Sequence, residues 1–194
     1  MKRTSACLAG LSLALLPQLA SAQGGFGVKG GFSYGNVTNR GLLPGALKNR
    51  TGFAAGAGFS SAGLMGFGFE GLYAQRGVTS STSGDSWKLD YIDVPVYFRA
   101  GIPSPGIAPF AYAGPQFSFE VNCNAGGGAS CPSTGRPKTT YAAILGGGVR
   151  VGAQSGLTLE GRYIYGLNDL KLSTVTSSQS YKTRSFLILA GWSF

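Results

Sequence analysis

The chain has 194 residues, of which 33 are glycine, 12% are aromatic and 12% are charged, with a formal net charge of +9. This glycine share is well above the usual level of about 7%, and with so few charges the composition is untypical of soluble enzymes and of disordered chains. The sequence contains no histidine, which removes the commonest general base and a frequent metal ligand.

The first predicted element is an export signal over residues 1–22. Basic residues at 2–3 precede an apolar run over 6–16, and small residues at 20–22 match a signal-peptidase cleavage site. Eleven apolar residues are too few for a helix to cross a bilayer. We therefore expect one exported domain over residues 23–194.

Eight segments of that domain alternate large apolar residues with small or polar ones, the period-2 pattern of β-strands. In the fifth segment Gly114–Pro115 would mark a bulge, at which the side chains exchange faces of the sheet. The sequence therefore does not decide which residues of 109–121 point inward. The segments are 25–35, 51–59, 65–76, 87–100, 109–121, 139–151, 157–167 and 184–194.

The connections between these segments alternate in length. The long ones cover 36–50, 78–86, 122–138 and 168–182, and the shorter ones 60–63, 101–107 and 152–156. One end of the sheet would then carry four extended loops and the other three turns. That asymmetry is typical of transmembrane β-barrels.

The facing of the strands indicates which surface is apolar. In each segment, the face opposite the large apolar residues, here called the minor face, carries Gly, Ser, Thr and most of the strand charges. Such a face can hardly form the apolar interior that a soluble barrel needs. The large residues are therefore expected to face lipid, and the sheet must close because unpaired edges are not tolerated in hydrocarbon. We predict an all-β, eight-stranded antiparallel up-and-down transmembrane β-barrel in the bacterial outer membrane, with two aromatic girdles. The girdle residues are Tyr34, Phe53, Tyr73, Tyr141 and Tyr165 towards the long loops, and Phe26, Phe59, Phe67, Phe98, Trp192 and Phe194 towards the turns.

Four short motifs resemble the small porin-like outer-membrane β-barrel proteins with eight strands. They are YIDVPVYFR (91–99), PFAYAGPQF (109–117), LEGRYIYGL (159–167) and the C-terminal Phe194. The resemblance implies that the barrel-assembly machinery reads the last strand through its alternating apolar residues. In this sequence they are Phe186, Ile188, Ala190, Trp192 and Phe194, of which Ala190 matches least well.

Charged side chains are predicted on the inward faces of the strands. Charges out of bulk water need partners, so a structural salt-bridge network is the favoured interpretation. An ion-conducting or anion-binding lumen is the alternative, although an eight-stranded interior is narrow. The predicted interior network consists of Lys29, Glu70, Arg76, Asp93, Arg99, Arg150, Glu160 and Arg162.

Two cysteines follow the predicted cleavage site, Cys123 and Cys131, eight positions apart in a glycine-rich loop. An even pair in an exported chain favours a disulfide. With no histidine in the sequence a metal site is not expected, and no cofactor is expected either.

Catalytic patterns are weak. A serine nucleophile would lack a histidine base, and the local acidic group Asp85, Asp90 and Asp93 does not form a paired-carboxylate site. We expect a non-enzymatic protein with a structural or surface-interaction role. The alternatives are a narrow porin-like channel for small solutes and a soluble lipocalin-like ligand-binding barrel.

Basic residues concentrate in the segments predicted as long loops. Outer-membrane lipid and lipopolysaccharide are the expected partners, together with an unidentified anionic surface ligand. Nucleic acid is not expected as a partner, because the chain is exported to a membrane. The loop-end residues are Arg40, Lys48, Arg50, Arg136, Lys138, Lys171, Lys182 and Arg184.

Overall fold

Eight β-strands make up the computed structural model, which describes residues 24–37, 47–61, 63–80, 86–124, 138–152, 155–168 and 183–194. Within these ranges, no helix has the length and apolar character needed to span a membrane. The strands are β1 (Gly24–Val37), β2 (Leu47–Ser61), β3 (Met65–Ser80), β4 (Ser86–Gly101), β5 (Ile107–Asn124), β6 (Thr139–Val151), β7 (Gly156–Gly166) and β8 (Thr183–Ser193).

Every strand pairs with its two neighbours in an antiparallel sheet that closes on itself. Each strand pairs with the next along the chain, and β1 also pairs with β8. Phe32, for example, lies opposite Phe53 on one side and Ile188 on the other. The predicted eight-stranded antiparallel barrel is confirmed. Several strands extend beyond the predicted segments at the long-loop end, most clearly β2 and β3.

Large apolar side chains cover the outside of the barrel. Met65 is 82% exposed, Phe98 80% and Phe26 66%, although all three lie in regular strands. In water such a surface would be strongly unfavourable, whereas lipid solvates it. This arrangement is the opposite of the polar exterior that a soluble lipocalin-like carrier requires.

Aromatic side chains contact one another at two levels of this outer surface. Towards the turns, the Phe59 ring lies 5.5 Å from Phe26 and 6.0 Å from Phe67. Towards the long loops, Phe53 and Tyr73 are 5.5 Å apart. Rings at these two heights match the girdles that membrane interfaces favour.

Strand β5 has one continuous facing, so the bulge expected at Gly114–Pro115 is wrong. Pairing with β6 runs through this point without a shift, and the register change between β4 and β5 lies beside Asp90 instead. A Cβ at Gly114 would lie 2.1 Å from the Val96 carbonyl oxygen. The glycine therefore permits a close approach of two strands and does not interrupt the sheet.

The interior is less uniformly polar than the sequence indicated. Ile144, Ile164 and Leu187 point inward, are at most 3% exposed and belong to one cluster of buried apolar residues. They lie one inward position nearer the long loops than Gly146, Arg162 and Leu189 on their respective strands. We call these three residues the collar. The minor faces thus do form a small apolar layer, contrary to expectation.

Two interior tyrosines pack flat against glycines of neighbouring strands. A Cβ on Gly68 would lie 2.5 Å from Cζ of Tyr97, and one on Gly146 would lie 2.3 Å from Cζ of Tyr112. The two rings also contact each other, with centroids 4.7 Å apart. The glycines thus create the space that both phenol rings occupy.

Replacing Gly146 by alanine is expected to destabilise the barrel by about 1–3 kcal/mol, because the new methyl group displaces the buried Tyr112 ring. The measurement is the free energy of unfolding in urea for protein folded in phosphatidylcholine vesicles. Gly71→Ala is the matched control, because a Cβ at Gly71 meets no atom within 4 Å. Equal stability of the two variants would contradict the packing role of Gly146.

Candidate functional site

Four charged residues from three strands meet at the centre of the barrel. Lys29 Nζ lies 2.8 Å from Glu70 Oε1 and 3.1 Å from Glu160 Oε2. Arg162 Nη2 lies 2.7 Å from Glu70 Oε2 and 2.9 Å from Glu160 Oε1. Each carboxylate thus binds both cations, and each cation binds both carboxylates. We call Lys29, Glu70, Glu160 and Arg162 the central ring.

Two tyrosines complete the hydrogen bonding of the central ring. The Tyr97 hydroxyl donates to Glu70 Oε1 at 2.6 Å, and the Tyr112 hydroxyl donates to Glu160 Oε1 at 3.2 Å. Arg162 Nε donates to the Tyr112 hydroxyl oxygen at 2.8 Å, and its guanidinium lies 5.2 Å from the centre of the Tyr112 ring. The glycine-packed tyrosines therefore hold the carboxylates from the β4 and β5 side.

Burial makes the charge balance of the ring important. The Arg162 side chain is fully buried, and those of Glu70 and Glu160 are nearly so. Two cations and two carboxylates give no formal net charge, which suits a low-dielectric interior. Removing one partner would leave a buried uncompensated charge, which costs much more than a surface ion pair contributes.

A second ion pair lies nearer the long loops. Arg76 on β3 binds Asp93 on β4 through Nη2 and Oδ2, and the Arg76 guanidinium lies 5.2 Å from the centre of the Tyr91 ring. Asp93 is completely buried. This pair ties neighbouring strands together and does not contact the central ring.

Towards the turns, the interior holds two more arginines. Arg99 Nη1 donates to the Ser61 carbonyl oxygen at 2.9 Å, and its guanidinium stacks 4.3 Å from the centre of the Phe110 ring. Arg99 and Arg150 both line a cavity of about 380 Å³ that reaches up to Lys29 and Glu160.

The eight residues predicted for the interior network all lie on the inward face, but at three different heights. Four of them form the central ring, Arg76 and Asp93 form a separate pair, and Arg99 and Arg150 line the cavity near the turns. The sequence-based reasoning missed Tyr97 and Tyr112. Tyr97 shares its inward face with Asp93 and Arg99 and was detectable by that alternation, whereas Tyr112 lies in the strand whose facing was open.

Other predicted features lie partly outside the described residues. Cys123 is near the end of β5, but Cys131 is not among the described residues, so the disulfide stays a prediction. The signal peptide over residues 1–22 is likewise outside them. On β8, the proposed assembly residues Phe186, Ile188, Ala190 and Trp192 face outward, and Phe194 follows the strand; their role in assembly stays a prediction.

The chemistry available in the described interior is that of paired charges and phenols. Among these residues, no group of three or more His, Cys, Asp or Glu side chains is placed to hold a metal ion. A closed barrel with a lipid-facing exterior and a charge-balanced, hydrogen-bonded ring at its centre defines a small integral β-barrel of the outer membrane.

The chain belongs to the family described as the outer membrane protein beta-barrel domain, whose model matches residues 5–194. No curated protein matches the sequence significantly. The family and the fold together place the protein in the bacterial outer membrane.

Solved structures show the same fold at low sequence identity. Neisserial surface protein A is 14% identical with a TM-score of 0.53, and the match covers 87% of this chain and 97% of that one. Ail, the attachment invasion locus protein of Yersinia pestis, is 15% identical with a TM-score of 0.50, over 88% and 99% of the two chains; its structure is a complex with the heparin analogue sucrose octasulfate. The outer membrane enzyme PagL is 12% identical with a TM-score of 0.48, over 85% of this chain and 97% of that one, a similarity too low to support an argument.

Replacing Arg162 by methionine is expected to destabilise the barrel by about 3–5 kcal/mol, because the two buried carboxylates of Glu70 and Glu160 then share the single cation Lys29. The measurement is the free energy of unfolding in urea in phosphatidylcholine vesicles. Adding Glu70→Gln to this variant removes one of the two carboxylate charges and should recover a large part of the lost free energy of unfolding. An Arg162→Met protein as stable as the unmodified one would show that the ring does not support the fold.

Proposed function

We propose that this chain is a non-enzymatic outer-membrane barrel that acts through its structure and its outer surface, not through a lumen. The observation that carries the proposal is the filled cross-section at mid-height. Arg162 and Leu187 are 0% exposed, and Ile144 and Ile164 are 3% exposed. A water-filled path at this level would wet these side chains. Eight strands enclose only enough space for packed side chains or one small ligand.

The surface best suited to an interaction is the long-loop end. The basic residues predicted there outnumber the acidic ones, and Lys138, the first described residue before β6, is exposed. Lipopolysaccharide in the outer leaflet presents phosphates to this end of an outer-membrane barrel. The complex of Ail with a sulfated sugar supports the idea that a barrel of this fold presents a polyanion-binding surface. We therefore assign to the loop end the binding of phosphate- or sulfate-bearing sugars.

Binding to immobilised heparin tests the surface role. The folded protein in detergent micelles should be retained at low salt, and Arg136→Gln/Lys138→Gln should elute at clearly lower salt, because each lost cation weakens a screened attraction to sulfates. The matched control is Ser104→Glu/Ser155→Glu, which changes the net charge by the same amount at the turn end. Co-elution of the loop variant with the unmodified protein, or failure of the unmodified protein to bind, would sink the proposal.

Conductance distinguishes this role from that of a narrow channel for small solutes. The folded protein inserted into planar bilayers should show no single-channel steps in potassium chloride, because the central ring and the collar fill the barrel. Insertion is checked separately by flotation of the same protein with vesicles. Reproducible steps from protein that floats with the vesicles would favour the channel instead.

A further inference from the structure

The cavity near the turns is a part of the molecule that neither the central ring nor the loop surface explains. It has a volume of about 380 Å³ and lies between the ring and the first residues of β1. Its space exists because inward positions of two adjacent strands lack side chains, namely Gly25, Gly27 and Gly58. A cavity near 300 Å³ is at the lower end of the range that holds small ligands.

Cationic side chains outnumber acidic side chains in the lining of this cavity. Lys29, Arg99 and Arg150 line it together with the carboxylates of Glu70 and Glu160. Those carboxylates are already shared between Lys29 and Arg162 in the central ring. Counting Arg162, four cationic side chains thus lie around two carboxylate side chains.

Arg99 is the most buried of the three cations that line the cavity. It is only 8% exposed, and within the described part of the chain no Asp or Glu oxygen lies within 4 Å of its guanidinium. The Ser61 carbonyl and the Phe110 ring fix its plane. A guanidinium has five N–H donors, and the bond to Ser61 uses one. A buried cation held in this way needs a counter-charge.

We propose that this cavity binds a phosphate group, or a similar tetrahedral oxyanion, between Arg99, Arg150 and Lys29. Arginine is suited to this ligand because its planar fork binds two oxygens at once. The cavity is larger than a phosphate ion, so it also admits a phosphate that carries a glycerol-sized substituent. Free phosphate and the headgroup of a phospholipid from the inner leaflet share this chemistry.

Isothermal titration calorimetry with inorganic phosphate tests the site. The protein is first unfolded in denaturant to remove lipid and is then refolded in a zwitterionic detergent that contains no phosphate group. Saturable binding of one ion per barrel is expected, while chloride at equal ionic strength gives none. Arg150→Gln should weaken binding about tenfold or more, the effect of losing one charge-assisted hydrogen bond. Lys88→Gln, which removes an exposed cation on the outer part of β4 far from the cavity, should bind as the unmodified protein does.

A second arm separates the two sources of phosphate. Phospholipid that co-purifies from outer membranes is quantified by phosphorus NMR for the unmodified protein, Arg99→Gln and Arg150→Gln. Loss of one bound phospholipid per barrel in the variants, without binding of free phosphate, would establish the site and assign it to a lipid headgroup. If Arg99→Gln fails to fold, Arg150→Gln carries both arms. No phosphate binding together with equal phospholipid in all folded proteins, or equal phosphate affinity with and without Arg150, would overturn the proposal.

Discussion

The pairing of backbone groups in hydrocarbon is the constraint on which the rest of this structure depends. Without water, each N–H and C=O in the membrane must bond within the protein, and the β1–β8 contact meets that demand by closing the sheet. Closure with eight strands then fixes a narrow interior. Most large side chains must therefore face the lipid. The side chains inside must pack closely and form hydrogen bonds among their own polar atoms. The glycines under Tyr97 and Tyr112 make room for the bulkiest of those interior groups.

The central ring follows from that second requirement. Charges inside a narrow barrel have few water molecules to solvate them, so they are stable only as a neutral, hydrogen-bonded set. The set links strands that are distant along the chain: Lys29 and Glu160 are 131 positions apart, and Glu70 and Arg162 are 92 apart. Such contacts form only when the barrel has closed in the correct register. The ring therefore favours this closure over slipped alternatives, because a slip of one residue would turn the charges of that strand towards the lipid.

Much of the fold was predictable because alternation and loop length are local properties of the sequence. Period-2 patterning located all eight strands, and the positions of the glycines and charged residues showed which face of each strand points inward. The partners within the ring were not predictable, because whether Arg162 meets Glu70 depends on the stagger of strands across the barrel. Tyr112 was missed because Gly114–Pro115 has the composition of a bulge, which left the inward face of β5 undecided. In the structure Gly114 instead allows β4 and β5 to approach closely. The collar was missed because Ile164 and Leu187 are residue types that also suit lipid, and alternation alone does not tell a packed apolar interior position from an exterior one.

The layers of the interior also determine what each end of the barrel can do. The ring and the collar separate the Arg76–Asp93 pair from the cavity of Arg99 and Arg150, so the two ends meet different compartments with different chemistry. A solute crossing between them would have to part Arg162 from two carboxylates and a phenol at once. Breaking buried pairs of this kind costs about 3–5 kcal/mol for a single lost partner, and the collar would have to open as well. This cost supports the proposed role, in which the middle of the barrel serves stability and exchange with the surroundings is confined to the loops on one side and the cavity near the turns on the other.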